Sequence, residues 1–181
     1  MVNEKHKGCV LLTDDDDAIR ESLGELLESS GFKIFTANCV DAAIKVLETN
    51  DEIEAMISDL KMPGKSGHDL LKYLNDTKRT LPLIFLTGYA TLESCQEAVR
   101  DGAFDYILKP IENKDKVILP LTHAIEKRRM EKNMQEIQRD IIQMAEEHQA
   151  ILDELLIDAE MKTKVQDKIE KILNKWDNKK K

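Results

Sequence analysis

Between residues 9 and 108, five short apolar runs alternate with stretches of helical periodicity, and this alternation restricts the fold more than any other feature of the 181-residue chain. Cys9–Thr13, Glu54–Ser58, Pro82–Thr87 and Phe104–Leu108 read as strands, and Phe32–Ala37 alternates like a more exposed one. Between them, Ile19, Leu23, Leu26 and Leu27 share one helical face, with Asp17 as a capping residue and Gly31 in the usual closing position. Ala42, Ala43, Val46 and Leu47, then Leu70, Leu71 and Leu74, then Leu92, Cys95, Ala98 and Val99 mark three further helices. Runs that are apolar on both faces suit buried strands. Strands separated by helices need right-handed crossovers, so the expected architecture is α/β, a five-stranded parallel doubly wound sheet covered on both sides.

In such a sheet the chemistry gathers beyond the carboxyl ends of the strands, beside the point where the winding reverses. The polar residues at those ends are Asp14, Asp15 and Asp16 after the first strand, Asp59 after the third, Thr87 after the fourth and Lys109 after the fifth. Asp59 stands out within Met56-Ile-Ser-Asp-Leu-Lys-Met-Pro-Gly64, because a carboxylate ending a buried strand is unfavourable unless a cation or donors compensate it. If the strand order is 2-1-3-4-5, the first and third strands are neighbours and the aspartates meet. Carboxylates crowded in one pocket take up protons or bind a cation; a hard cation with oxygen ligands, Mg²⁺, is the economical answer.

Charge and punctuation divide the chain. Residues 1–120 hold 14 Lys/Arg against 22 Asp/Glu and residues 121–181 hold 13 against 13, so the formal charge of −8 belongs to the first part, which argues against direct nucleic-acid binding there. All seven glycines lie between Gly8 and Gly102 and the last proline is Pro120, a globular region followed by helix. No run approaches the roughly 20 apolar residues of a membrane span, and the polar Met1–Gly8 does not read as a signal peptide. Cys9, Cys39 and Cys95 are scattered without metal-type spacing, as in a reducing cytosol. A cytoplasmic protein is expected.

Val10-Leu-Leu-Thr-Asp-Asp-Asp16, Asp59-Leu-Lys-Met-Pro-Gly64, Leu86-Thr-Gly-Tyr-Ala90 and Gly102-Ala-Phe-Asp-Tyr-Ile-Leu-Lys-Pro110, taken together, resemble a response-regulator receiver domain of two-component signalling. The Leu-Thr-Gly-Tyr and Gly-Ala-Phe-Asp-Tyr wording is most similar to receivers of enhancer-binding regulators and hybrid kinases. The resemblance covers residues 6–128 and implies a flavodoxin-like sheet of order 2-1-3-4-5. It also implies that Asp59 accepts a phosphoryl group from a phosphohistidine on a sensor histidine kinase or phosphotransfer protein. Mg²⁺ would be bound by Asp15, Asp59 and the Lys61 backbone carbonyl, with Asp14 acting mostly through water. Lys109 would pair with a phosphoryl oxygen, Thr87 would donate its hydroxyl to another, and Tyr106 would swing inward behind it, remodelling the face around the fourth helix, fifth strand and fifth helix. Lys109-Pro110 is usually cis in the family. Pro120 falls inside the expected fifth helix, where it should kink the helix or delay its regular start.

Beyond the resemblance, residues 129–178 form an expected helical extension, as a coiled coil or helical hairpin. From Lys127 to Trp176, heptad positions a (Lys127, Met134, Ile141, His148, Leu155, Lys162, Ile169, Trp176) and d (Met130, Ile137, Met144, Ile151, Asp158, Val165, Ile172) hold eleven apolar residues out of fifteen. Asp158 and Lys162 interrupt this seam, whereas Ala145, Leu152, Ala159 and Leu173 widen it on the e side. A long helix is favoured over one bent near 158–163. The expected function is a phosphorylation-switched regulator with no enzymatic output, signalling to an unnamed downstream protein, with the C-terminal helix serving self-association, as a homodimer, or partner binding. Its rivals are a constitutive helical scaffold capped by a receiver, and a phosphatase-like helical module acting on receivers, for which Glu131 and Gln135 have a suitable acid/amide spacing.

Overall fold

The computed structural model describes residues 6–88 and 100–177. The helix expected through Leu92, Cys95, Ala98 and Val99 lies outside the described residues. The chain runs β1 (Cys9–Thr13), α1 (Asp17–Ser29), β2 (Lys33–Ala37), α2 (Val40–Thr49), β3 (Ala55–Asp59), α3 (Gly67–Asp76), β4 (Leu83–Thr87) and β5 (Asp105–Leu108), then a long C-terminal helix over Asp115–Asp177. The five strands form one parallel sheet in the order β2-β1-β3-β4-β5. Two units are distinguished, Met1–Glu131 and Lys132–Lys181.

Successive strand residues point to opposite faces, and both faces are dry. Val10, Leu12, Ala55, Ile57, Ile84 and Leu86 pack on one side with Leu23 and Leu27 of α1 and with Val117, Leu121 and Ile125 of the C-terminal helix. Leu11, Met56, Leu83 and Phe85 pack on the other side with Val40, Ala43 and Leu47 of α2 and Leu70, Leu71 and Leu74 of α3. Two covered faces explain why these strands read as unbroken apolar runs rather than alternating ones.

Three expectations about the ends of elements are adjusted. Asp16, not Asp17, is the N-cap of α1: its carboxylate accepts from the Ala18 and Ile19 amides at 2.9 and 3.3 Å, and Asp17 is the first helical residue. Asp59 is the last residue of β3 rather than the first beyond it. The C-terminal helix begins at Asp115, so Pro120 sits inside it and does not delay its start. A proline in a helix interior costs roughly 3 kcal/mol. Full burial of Val117, Leu121 and Ile125, each worth roughly 1.5–3 kcal/mol, outweighs it. Arg129 secures the same segment through Nε and Nη2 bonds of 2.5 and 2.6 Å to Glu54, just before β3.

Along Lys132–Lys181, every described side chain from 132 to 168 is exposed. Among the described residues no helix is long and apolar enough to cross a membrane.

Leu27 is wholly buried between α1 and the sheet. Leu27→Ala is expected to lower the stability of the globular unit by about 2–5 kcal/mol, read as an earlier midpoint in urea denaturation.

Candidate functional site

The sheet order brings the carboxyl ends of β1, β3, β4 and β5 to one edge. Thr13 pairs with Ser58, Asp59 with Leu86, and Thr87 with Leu108. Asp14 therefore leaves β1 beside Asp59, and Thr87 ends the strand next to it. Asp14, Asp15 and Asp59 each offer a carboxylate oxygen, all within 4.8 Å of one another. Asp14 and Asp59 are 1% and 7% exposed, and Asp15 opens to solvent.

Lys109 is the cation that meets them. Its Nζ donates to Asp14 Oδ2 at 2.6 Å and to Asp59 Oδ1 at 3.1 Å. The Lys109 amide donates to the Thr87 carbonyl at 2.8 Å, and its peptide bond to Pro110 is cis. Burial works to lower the Lys109 pKa, but the hydrogen bonds and charges of the two aspartates together outweigh it and hold the pKa above the usual lysine value. Burial raises the Asp59 pKa, and the Lys109 ammonium only partly opposes it.

Backbone groups fix the carboxylates further. The Lys61 amide donates to Asp59 Oδ2 at 3.2 Å and the Asp16 amide to Asp14 Oδ1 at 3.0 Å. The Ser58 hydroxyl donates to the Asp59 carbonyl at 2.9 Å. Thr87 is buried, and Tyr106 of β5 is partly buried against the core cluster that includes Phe85.

Three contributors escaped the reading of the sequence. Arg20, one turn into α1, donates from Nη1 to the Asp14 carbonyl at 2.6 Å and also pairs with Asp17. Ser58 needs the strand register to be placed. Gly67 admits a close approach: a Cβ there would stand 2.6 Å from the Asp59 carbonyl oxygen and 2.8 Å from Phe85 Cε1. Arg20 left one usable signal, an arginine a turn downstream of an acidic strand end. Gly67 left none, since a glycine opening a helix is commonplace.

Among the described residues three carboxylates gather beside the Lys109 ammonium, and each offers an oxygen ligand. Such a set suits a hard divalent cation.

The family model described as the response regulator receiver domain matches residues 10–125. The chain belongs to this family. Response regulator protein FleR of Pseudomonas aeruginosa is 36% identical over 116 residues, covering 64% of this chain and 24% of FleR. Transcriptional regulatory protein FixJ of Azorhizobium caulinodans is 37% identical over 127 residues, covering 70% of this chain and 59% of FixJ. The chain thus spans about a quarter of the first relative and under two thirds of the second. Among solved structures, a response regulator receiver domain protein from Clostridium thermocellum superposes with a TM-score of 0.64 at 28% identity, covering 68% of this chain and 98% of that one. The receiver fold occupies the first unit, and the long helix continues beyond the matched residues.

Burial, by raising the Asp59 pKa, makes the stability of this receiver depend on pH with a definite sign. A carboxyl whose native pKa stands above its unfolded value binds its proton more tightly when folded, so stability falls as pH rises from the unfolded value through the native one. Asp59→Asn removes that penalty while Lys109 keeps Asp14 at 2.6 Å. In chelator-containing buffer at neutral pH the variant is expected to unfold at higher urea than the parent, and the gap should close as pH falls into the carboxylate range; paired urea titrations at two pH values check this.

Proposed function

We propose that this protein is a phosphorylation-switched response regulator in which Asp59 is the phosphoacceptor. The observation that carries the reading is the meeting of Asp14, Asp15 and Asp59 within 4.8 Å under the Lys109 ammonium. In the proposed reaction an Asp59 carboxylate oxygen attacks the phosphorus of a phosphohistidine on a sensor kinase or phosphotransfer protein. The new O–P bond forms as the P–N bond breaks, and the imidazole leaves. Asp14, Asp15, Asp59 and the Lys61 backbone carbonyl would hold Mg²⁺, which when bound neutralises charge on the transferring group.

The protein's own part is placement. Lys109 exchanges a carboxylate for a phosphoryl oxygen, as suits a flexible point charge. The Thr87 hydroxyl turns to a second oxygen, and Tyr106 follows it. Added charge at Asp59 thereby biases the two-state surface beside β5.

The proposed organisation is a receiver over residues 6–128 and a helical extension over 129–178. The chain works in the cytoplasm, catalyses only its own phosphorylation and dephosphorylation, and signals through protein contacts rather than nucleic acid. The uncovered apolar side of the extension supports a role in self-association.

Incubation with Mg²⁺ and a small phosphodonor is expected to label the parent and leave Asp59→Asn unlabelled, read by intact mass. A labelled Asp59→Asn chain would overturn the assignment. Lys109→Ala should take up label much more slowly while still binding the cation, checked by a Mg²⁺ titration beside the labelling time course.

A further inference from the structure

At the amino end of the sheet, opposite Asp59, a cavity of about 680 Å³ opens between α3, the residues leading into β4 and β5, and residues 124–131 of the C-terminal helix. Its apolar lining includes Leu71 and Leu74, both buried, and Phe104, half-buried. Its charged lining is four cations, Lys78, Arg79, Lys127 and Arg128, against one carboxylate, Glu131. A neighbouring cavity of about 320 Å³ shares Lys78, Arg79 and Arg128. This local excess runs against the sign of residues 1–120, which carry 22 Asp/Glu and 14 Lys/Arg.

Neutral partners fix both guanidiniums. Arg79 donates from Nη1 to the Leu47 carbonyl at 2.7 Å, and Arg128 donates from Nη1 to the Ile53 carbonyl. A carbonyl orients a guanidinium without neutralising it, and five N–H donors per arginine leave several for a ligand. Among the described residues, Lys78, Arg79 and Arg128 form no ion pair. Glu131 lies 3.9 Å from Lys127 instead. Burial lowers the Arg128 pKa; Glu54, which is itself held by Arg129, opposes the shift, and the Arg79 charge adds to it.

Lys78 supplies a second observation. Its φ of 53° lies in the left-handed region, and among the described residues no other non-glycine residue has a positive φ. The Lys78 amide donates to the Asn75 carbonyl at 3.1 Å and the Arg79 amide to the Leu74 carbonyl at 2.9 Å. These are the paired bonds of a Schellman cap, where glycine is the ordinary residue and a Cβ is disfavoured. A lysine kept in that conformation, beside a second cation and at a cavity, points to a use for its side chain.

We infer that this cavity binds a phosphorylated small molecule with an apolar or aromatic body, its phosphate oxygens on Arg79, Arg128 and Lys78 and its body against Leu71, Leu74 and Phe104. Guanidinium pairs suit phosphate because their N–H donors match its oxygens two at a time. The volume falls in the range of small-molecule sites, roughly 300–1,000 Å³. A polynucleotide or an acidic protein surface needs a basic field wider than one cavity, and the surrounding domain is acidic.

Calorimetric titration of the full chain tests this, in chelator-containing buffer so that the carboxylates around Asp59 repel anions. ATP is expected to bind, and inorganic triphosphate, which has as many phosphates and no organic body, about tenfold more weakly. Arg79→Gln should weaken ATP binding about tenfold or more, and Lys78→Gly about two- to fivefold. Lys78→Gly removes the left-handed lysine, so its urea midpoint should not fall, which separates loss of the ammonium from loss of the fold. Lys45→Gln removes the same charge from the exposed side of α2 and should leave ATP binding unchanged. Absence of ATP binding overturns the proposal, as does equal weakening by Lys45→Gln, which reduces the effect to net charge. Equal affinity for ATP and triphosphate removes the apolar body, and tighter binding of a polyglutamate peptide than of ATP replaces the small molecule by a protein partner; either result overturns the ligand assigned. Phosphodonor labelling of Asp59 in the same variants reads the receiver chemistry independently.

Discussion

The receiver edge depends on one ammonium shared by two buried carboxylates. Lys109 reaches Asp14 across 95 residues of sequence and Asp59 across 50, and so ties the ends of β1 and β3 to the end of β5. Without that cation the sheet order would press two desolvated negative charges together, an arrangement whose penalty amounts to several kcal/mol when one partner of a buried pair is missing. Burial still leaves Asp59 with a raised pKa, so the ammonium compensates the pocket incompletely. Asp15, facing solvent, adds a third carboxylate to the same deficit. The edge is stable enough to fold yet short of positive charge, and in the proposed function that shortage is what a divalent cation and an incoming phosphoryl group exploit.

The neighbours of this triad are held through backbone groups, whereas Lys109 reaches it through a long side chain. Asp59 ends a strand buried throughout, its carbonyl is held by the Ser58 hydroxyl, and Gly67 lets α3 start against it. The Asp14 carbonyl is clamped by Arg20. The carboxylates therefore have fixed positions, and the long lysine side chain is the part able to change partners without moving the backbone. In the proposed function this division suits phosphoryl transfer, which depends on positioning and charge more than on acid–base chemistry.

Much of this was legible in the sequence because burial on both faces of a parallel sheet leaves unbroken apolar runs, and polar residues ending those runs stand out. That contrast marked Asp14, Asp15, Asp59 and Lys109 among the polar strand ends, together with Asp16 and Thr87, and the receiver resemblance supplied the strand order that lets them meet. The errors lie where neighbouring residues are chemically equivalent or where packing overrules propensity. Asp16 and Asp17 are both good caps, and only the backbone turn selects Asp16. Pro120 opposes a helix locally, yet Val117, Leu121 and Ile125 bury completely on the sheet and carry the helix through it. Arg20 and Gly67 act through contacts that need three dimensions, so no spacing rule announces them.

The two units manage polar residues among apolar ones in different ways. In the receiver each buried charge has its partner inside the same chain, which is why Asp14 and Asp59 are tolerated at almost no exposure. In the C-terminal helix, Asp158 and Lys162 interrupt the apolar seam and are joined only by a solvent-exposed contact with each other. An uncovered seam with charges in it is compatible with water, but burying it on a partner demands that each charge meet a complementary group or a route to solvent. Acidic residues gather before 160 and basic residues after it, so the charge that a partner must match changes sign along the helix. The same electrostatic requirement that places Lys109 over two aspartates within the receiver therefore applies to Asp158 and Lys162 wherever the seam is buried.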